Sequence, residues 1–229
     1  TEISSNSTGS PGGKTGAPGE GTCLDCHNSF SLNSGVGTAN FTSNIPTTGY
    51  VPGNTYTISA SVSDSAISKF GFEITEPLGS ILITNPAEIK SIPTCSQTCR
   101  ITHEAAGTSA INNTKTWSFD WIAPTIGSGN VTFYGAFVAA NNNGNYFGDH
   151  VYTNTLMANE FLVTPGCTDS TACNYNPLAT LDDSSCVYPT DSTYIDTVCD
   201  SYTWSVNSVT YTSYVIDSVI GVNTVGCTE

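Results

Sequence analysis

The chain has 229 residues, enough for one full domain and one or two small modules. Charged residues make up only 10% of it, and the net charge of −14 argues against nucleic acid and anionic membrane surfaces as partners. Nine cysteines indicate an oxidising compartment, and no apolar run has transmembrane length. The first residue is Thr1 rather than Met, so we expect an exported protein, secreted or held at the cell surface.

The first segment, residues 1–48, is rich in Gly, Ser, Pro and Thr and lacks apolar periodicity. Such a composition cannot bury a core, and we predict an extended arm. The arm carries the motif C-x-x-C-H at Cys23, Cys26 and His27. Two thiols at this spacing can bond covalently to the two vinyl groups of a haem, and the adjacent imidazole then faces the iron. The alternative is a Cys23–Cys26 disulfide or redox pair beside an unrelated histidine, although the βαβ context of a thioredoxin-like site is missing.

Residues 49–165 alternate between apolar and polar side chains, which is typical of β-strands. Short strands separated by turn residues predict an all-β fold, an immunoglobulin-like β-sandwich. The almost wholly apolar run Val131–Ala140 predicts a central strand buried on both sides. The other predicted strand faces are Tyr56, Ile58, Ala60 and Val62; Phe70, Phe72 and Ile74; Ile81–Thr84; Trp117, Phe119 and Trp121; Tyr152; and Phe161–Val163.

A haem iron held by His27 needs a sixth ligand or an open face. His103 is the first choice for that ligand, with Met157 and His150 as alternatives. Asp149 precedes His150 and is predicted to orient its ring by a hydrogen bond. Two protein ligands would make the chain an electron carrier, whereas an open face would permit gas binding or peroxide chemistry.

A second pair of cysteines, Cys95 and Cys99, lies four residues apart. The nearest further metal ligand in the sequence is His103, which is too few for a zinc site. We therefore predict a disulfide that closes a loop.

The arm and the sandwich together resemble the choice-of-anchor domains of Bacteroidetes surface proteins. The resemblance covers residues 8–165 and is carried by separate blocks in the same order: GKTGAPGEGTC at 13–23 followed by C-x-x-C-H, Thr102–His103, WSFDWIAP at 117–124 and GDHVYT at 148–153. These domains are similar to reeler domains, so the resemblance implies a reeler-like sandwich at the cell surface that serves as an extracellular module.

Two small modules are predicted after the sandwich. Residues 166–190 begin with GCTDSTACNYNP and resemble a short Cys-rich repeat of Bacteroidetes secreted proteins, which disulfides hold in place of a core. Oxygen donors within it form a candidate calcium site, although such residues also dominate ordinary turns. Residues 191–229 form a β module that resembles another repeat, with Cys199–Cys227 as its natural disulfide. The candidate calcium ligands are Asp169, Asn174, Asn176, Asp182 and Asp183.

Two classes of function follow from these features. The first is an extracellular monohaem c-type protein that passes electrons to a redox partner or to other surface proteins. The second is a structural or adhesive β protein in which C-x-x-C-H is only a staple. An enzyme is the third choice, since the sequence holds no convincing hydrolase or transferase motif.

The C-terminal module is shorter than similar repeats, which carry one more strand after Cys227. An incomplete module would leave a strand edge open, and the arm of a second copy could pair with it. Head-to-tail contacts of this kind would build a fibre, and truncation is the simpler alternative.

Overall fold

The structure is a computed structural model, and it describes residues 6–65, 67–75, 78–92, 100–189, 200–205 and 208–212. It divides into two compact units, Thr1–Phe161 and Leu162–Glu229. The described residues contain strands and two short 3-10 helices, Cys23–Asp25 and Ala105–Thr108, which confirms the all-β prediction. No helix in these ranges is long and apolar enough to cross a membrane.

The first unit is an antiparallel sandwich of two sheets. Its nine strands are β1 Thr38–Ser43, β2 Thr55–Ser63, β3 Lys69–Thr75, β4 Ser80–Leu82, β5 Ile89–Ser91, β6 Arg100–His103, β7 Thr114–Ile122, β8 Val131–Ala140 and β9 His150–Ala158. The four-stranded sheet has the order β1-β2-β7-β4, and the five-stranded sheet has the order β5-β6-β3-β8-β9.

Alternation along the strands fills the space between the sheets. Trp117, Phe119 and Trp121 of β7 are almost completely buried, and the polar residues between them face outward. Phe133 and Phe137 of β8 contribute to the same core. Burial of each of these aromatic side chains contributes about 1.5–3 kcal/mol to stability.

β8 lies in the interior of the five-stranded sheet, between β3 and β9, with the bounds that its apolar run predicts. Its residues Gly135–Ala139 are all buried, although their side chains point alternately to the two faces. The outer face is covered because the N-terminal arm packs on it. A strand that is covered on both faces needs apolar residues throughout, which is why this run does not alternate.

Two segments differ from the sequence analysis. Residues 38–43, assigned there to the arm, form β1 and pair with β2, and Phe41 of β1 is buried in the core. Phe161–Val163, assigned there to a strand, lies outside the strands, although the Phe161 N–H donates to the Tyr50 carbonyl oxygen at 2.8 Å beside an isolated bridge between Tyr50 and Glu160. The strands of the sandwich therefore begin earlier in the chain, and end earlier, than the apolar pattern of the sequence suggests.

The second unit contains two small pairs of strands: β10 Pro165–Gly166 with β11 Leu181–Asp182, and β12 Tyr202–Trp204 with β13 Val209–Tyr211. A disulfide joins Cys167 and Cys186, and Cys173 is disulfide-bonded as well. The predicted disulfides Cys95–Cys99 and Cys199–Cys227 lie outside the described residues, as does the end of the last module, on which the fibre hypothesis depends.

Candidate functional site

A cavity of about 640 Å³ lies between the arm and the outer face of the five-stranded sheet. The arm contributes Cys23, Cys26 and His27 to its lining, and the last residue of β6 contributes His103. The predicted attachment motif and the first-choice sixth ligand therefore line the same cavity.

The C-x-x-C-H motif forms one helical turn. The side chain of Thr22 accepts a hydrogen bond from the N–H of Leu24 and begins the turn. The carbonyl oxygen of Cys23 then accepts the N–H of Cys26 at 3.2 Å and the N–H of His27 at 2.9 Å. Cys23, Cys26 and His27 all line the cavity.

Both cysteines of the motif are free thiols, with Cys23 half-buried and Cys26 exposed. Burial, reinforced by the negative charge of Glu73, raises the pKa of Cys23 to about 12. A redox-active C-x-x-C needs the opposite, a thiol whose pKa is lowered so that the thiolate forms near neutral pH. This environment therefore disfavours Cys23 as a reactive thiolate.

The imidazole of His27 is held by a buried carboxylate. Its Nδ1 lies 2.8 Å from Oδ2 of Asp149, which is 1% exposed. A carboxylate next to Nδ1 accepts the proton of that nitrogen and leaves the lone pair on Nε2 available to a ligand. The prediction that Asp149 orients His150 is wrong, because successive residues of an extended chain point in opposite directions.

His103 lines the same cavity and is buried, with 8% of its surface exposed. Burial lowers its pKa, against the opposing effect of hydrogen bonds with the backbone of Phe72 and Asn6, so the imidazole is neutral at physiological pH. Its Nδ1 accepts the Phe72 N–H at 3.1 Å and lies 3.4 Å from the Phe72 carbonyl oxygen. Nδ1 can therefore serve as acceptor, or as donor in the tautomer that frees Nε2.

The sheet side of the cavity is lined by residues of β3 and β8. Gly71 pairs with Val138, and Lys69 pairs with Ala140, so these positions share one face of the sheet. A Cβ added at Gly71 would lie 2.6 Å from Cε1 of His103, well inside contact distance. The missing side chain at Gly71 is therefore what makes room for the His103 ring.

The alternative sixth ligands lie elsewhere. Met157 is 61% exposed and lines a separate cavity of about 200 Å³ near the β1 end of the four-stranded sheet. His150 is not part of the large cavity; its Nδ1 lies 3.0 Å from Oδ2 of Asp64, and its ring packs on Phe30. Of the three candidates, only His103 lines the same cavity as His27.

Two carboxylates and one guanidinium dock the arm. The buried Glu73 of β3 accepts hydrogen bonds from the Ser10 hydroxyl and, at 3.1 Å, from the Lys14 backbone N–H. Arg100 of β6 forms an ion pair with Glu20 of the arm and lies 3.8 Å from Glu73. Burial alone would raise the pKa of Glu20, but hydrogen bonds from Arg100 and Thr15 outweigh it and lower the pKa. The arm predicted as an extension is thus folded back onto the sheet.

The five predicted calcium ligands are engaged in local hydrogen bonds. Four of them accept the backbone N–H two residues later, as in Asx turns, and the fifth accepts an N–H within the same unit. In the part of the chain that the structure describes, no three His, Cys, Asp or Glu side chains are arranged to hold one metal ion. Calcium binding stays a prediction for Asp169, Asn174, Asn176, Asp182 and Asp183.

No known family profile and no curated protein sequence matches the chain. Solved structures that are similar to it include reeler domains and cohesin modules. The Reelin-N domain of F-spondin is 18% identical, covers 58% of this chain and 94% of its own, and superposes with a TM-score of 0.40. The human F-spondin reeler domain is 18% identical, covers 56% of this chain and 93% of its own, and superposes with a TM-score of 0.40. A cohesin module of a family 33 glycoside hydrolase from Clostridium perfringens is 14% identical, covers 56% of this chain and 98% of its own, and superposes with a TM-score of 0.42.

Proposed function

We propose that the chain is an extracellular monohaem c-type protein that carries electrons. Cys23 and Cys26 would hold the haem through thioether bonds, and His27 and His103 would hold its iron. The observation that carries this proposal is that these four side chains, from an arm and a distant strand, line one cavity.

The size and lining of the cavity fit such a group. Its volume of about 640 Å³ falls within the range of roughly 300–1,000 Å³ that is typical of cofactor sites. Val138 and Ala140 add apolar surface to the lining, beside the His103 ring that packs over Gly71. Two thiols and two imidazoles line the cavity: thiols can attach a haem covalently, and neutral imidazoles can bind its iron.

A bound haem supplies reversible one-electron chemistry, and the residues of the chain determine how it is used. Asp149 keeps the Nε2 lone pair of His27 free to bind. For His103 to bind through Nε2, its proton would have to lie on Nδ1. The hydrogen bond that Nδ1 accepts from the Phe72 N–H would then be replaced by one donated to the Phe72 carbonyl oxygen, 3.4 Å away. Two protein ligands leave no open position, which favours electron transfer over the binding or activation of a small molecule.

Export is part of the proposal. The Cys167–Cys186 disulfide requires an oxidising environment, and a c-type haem is consistent with the same side of the membrane. The chain carries a net charge of −14, so its redox partner or neighbouring surface protein would present basic groups rather than an acidic surface. The protein would be an electron carrier and not a catalyst.

The test is the colour and mass of the full chain made in a host that attaches haem to C-x-x-C-H motifs. We expect a Soret band that survives acid–acetone extraction, an intact mass increased by one haem, and loss of both in the Cys23→Ala/Cys26→Ala variant. His27→Ala and His103→Ala should each change the spin state. His150→Ala is the matched control and should leave the spectrum unchanged, because His150 lies outside the cavity.

A colourless wild-type protein without the added mass would overturn the proposal and leave the structural or adhesive class. An unchanged spectrum in His103→Ala would remove His103 as the second ligand. A spectrum altered equally by His150→Ala would show that the variants act through folding.

A further inference from the structure

We infer that Asp149 is the positioning residue for His27, and that it lowers the reduction potential of the iron that His27 binds. The inference rests on the proposed function, because the potential is defined only for the loaded protein. The contact that carries it, between Nδ1 of His27 and Oδ2 of Asp149, is 2.8 Å long.

Both oxygens of the Asp149 carboxylate are used, so the side chain has one orientation. Oδ2 contacts His27, and Oδ1 accepts the backbone N–H of Asn141 at 2.9 Å. The Asp149 side chain is inaccessible to solvent, whereas the His27 side chain is 19% exposed. A charged group is buried at a high cost unless partners compensate it, and in the described structure His27 and the Asn141 N–H are partners of this carboxylate.

The loop between β8 and β9 is built to hold Asp149 in place. Asn141, Asn143 and Asn145 each accept the backbone N–H two residues later, in three successive Asx turns. The side-chain amides of Asn141 and Asn143 both donate to the carbonyl oxygen of Phe147. A loop with these internal hydrogen bonds has few alternative conformations, and it therefore fixes the position of Asp149 at its end.

The same loop also contacts the arm directly after His27. The N–H of Gly148 donates to the hydroxyl of Ser29 at 2.8 Å. Gly148 has φ of +82°, and a Cβ at this position would lie 2.5 Å from Nδ2 of Asn141, so no other residue fits without strain. His27 is therefore held through its ring by Asp149 and through its neighbouring backbone region by Gly148.

A carboxylate that accepts the Nδ1 proton makes the imidazole more strongly electron-donating at Nε2. Stronger donation stabilises the higher charge of oxidised iron, and the reduction potential falls. Removing the negative charge while keeping the hydrogen bond should reverse this effect. Asp149→Asn removes the charge, and with its amide oxygen toward His27 it still accepts the Nδ1 proton, while the hydrogen bond from the Asn141 N–H is lost.

Asp64 offers a matched control elsewhere in the same unit. It is 2% exposed, and its Oδ2 lies 3.0 Å from Nδ1 of His150, so it makes the same kind of contact with a histidine outside the cavity. Loss of a partner that supports a metal ligand typically changes affinity by 10–100-fold. We expect Asp149→Asn to change the ratio between the affinities of His27 for oxidised and for reduced iron by about tenfold. For a one-electron couple, this raises the reduction potential by about 59 mV. Asp64→Asn should leave the potential unchanged.

The experiment measures the midpoint potential of the full chain and of both variants by spectroelectrochemistry, together with the ¹⁵N shifts of the histidine rings. A rise confined to Asp149→Asn supports the inference. No rise, or an equal rise in Asp64→Asn, overturns it.

The ring measurement separates this inference from the proposed function. If the wild-type chain carries no haem, the proposed function fails, and the ¹⁵N shifts then test the positioning role alone. A His27 proton held on Nδ1 in the wild type and redistributed in Asp149→Ala supports that role. An identical tautomer in both proteins overturns it.

Discussion

Gly71→Ala is the substitution that tests most directly whether His103 belongs to the cavity wall. The new Cβ would lie 2.6 Å from Cε1 of His103, 3.0 Å from Nδ1 and 3.1 Å from Nε2. Carbon atoms in contact are normally about 3.5–4.0 Å apart, so the ring must move by about 1 Å. His103 is a buried ring and not the end of a flexible side chain, and the strain cannot be relieved by a simple rotation.

Overpacking of this kind costs about 1–3 kcal/mol. In a unit of this size that corresponds to about 2–4 °C in Tm for each kcal/mol. In the His103→Ala background the obstructing ring is gone, and the same Gly71→Ala change should cost at least about 1 kcal/mol less. Thermal or urea unfolding of the four proteins of this double-mutant cycle measures the coupling. In the haem-loaded protein, Gly71→Ala should also reproduce part of the spin-state change of His103→Ala.

Gly135→Ala provides the comparison. Gly135 lies on β8 of the same sheet, and its added Cβ would meet Phe41 and Phe137 instead of a histidine. Its cost should be the same with and without the His103 ring. Equal costs of Gly71→Ala in the two backgrounds would refute the reasoning, because they would mean that the His103 ring does not occupy the space over Gly71.

Three further changes test the supports of the site. The pKa of Glu20 is lowered on folding, so its ion pair with Arg100 stabilises the docked arm fully above the unfolded pKa of roughly 4.3. This contribution is lost as the pH falls through the folded pKa. Limited proteolysis of the arm should therefore increase in acid, and Glu20→Gln should abolish that pH dependence. Replacing Cys167 and Cys186 together should destabilise the second unit by about 3 kcal/mol in thermal unfolding, without altering the haem spectrum. Gly148→Ala, at φ of +82°, should cost about 1 kcal/mol or more and broaden the His27 ring signals; sharp, unshifted signals would argue against a role for the loop.

The fold was largely predictable because burial leaves a period-two pattern in the sequence. Trp117, Phe119 and Trp121 show that pattern, and they are core residues of β7. β1 lacked a comparable signal, since Phe41 is its one buried residue and, apart from Ala39, the other residues of the strand are polar. Such an edge strand is specified by backbone pairing with β2, and backbone hydrogen bonds leave no mark on composition.

The site was predictable where its chemistry is local and not where it depends on distant contacts. Cys23, Cys26 and His27 form a motif of five residues, and its spacing alone indicates one turn. The role of Asp149 is different, because adjacency in sequence pairs it with His150 while the alternation of strand residues turns the two apart. That rule could have excluded the wrong partner, but the correct one, His27, depends on where the arm docks. The docking residue Glu73 looked like an ordinary strand residue, and only its burial identifies it.

The contact between His27 and Asp149 joins residues 122 positions apart, and this separation has a consequence for the order of folding. The C-x-x-C-H motif is synthesised first, whereas Asp149 follows β8 and directly precedes β9, the last strand of the sandwich. A contact of such long range is stable only after strand pairing has compensated the entropy of closing the loop. A group bonded to the cysteines would therefore be tethered early but ligated in a fixed geometry only when the sandwich is complete. The spectrum of that group would therefore report whether the sandwich is folded, because partial unfolding at β9 would release the His27 ring while the covalent attachment remained.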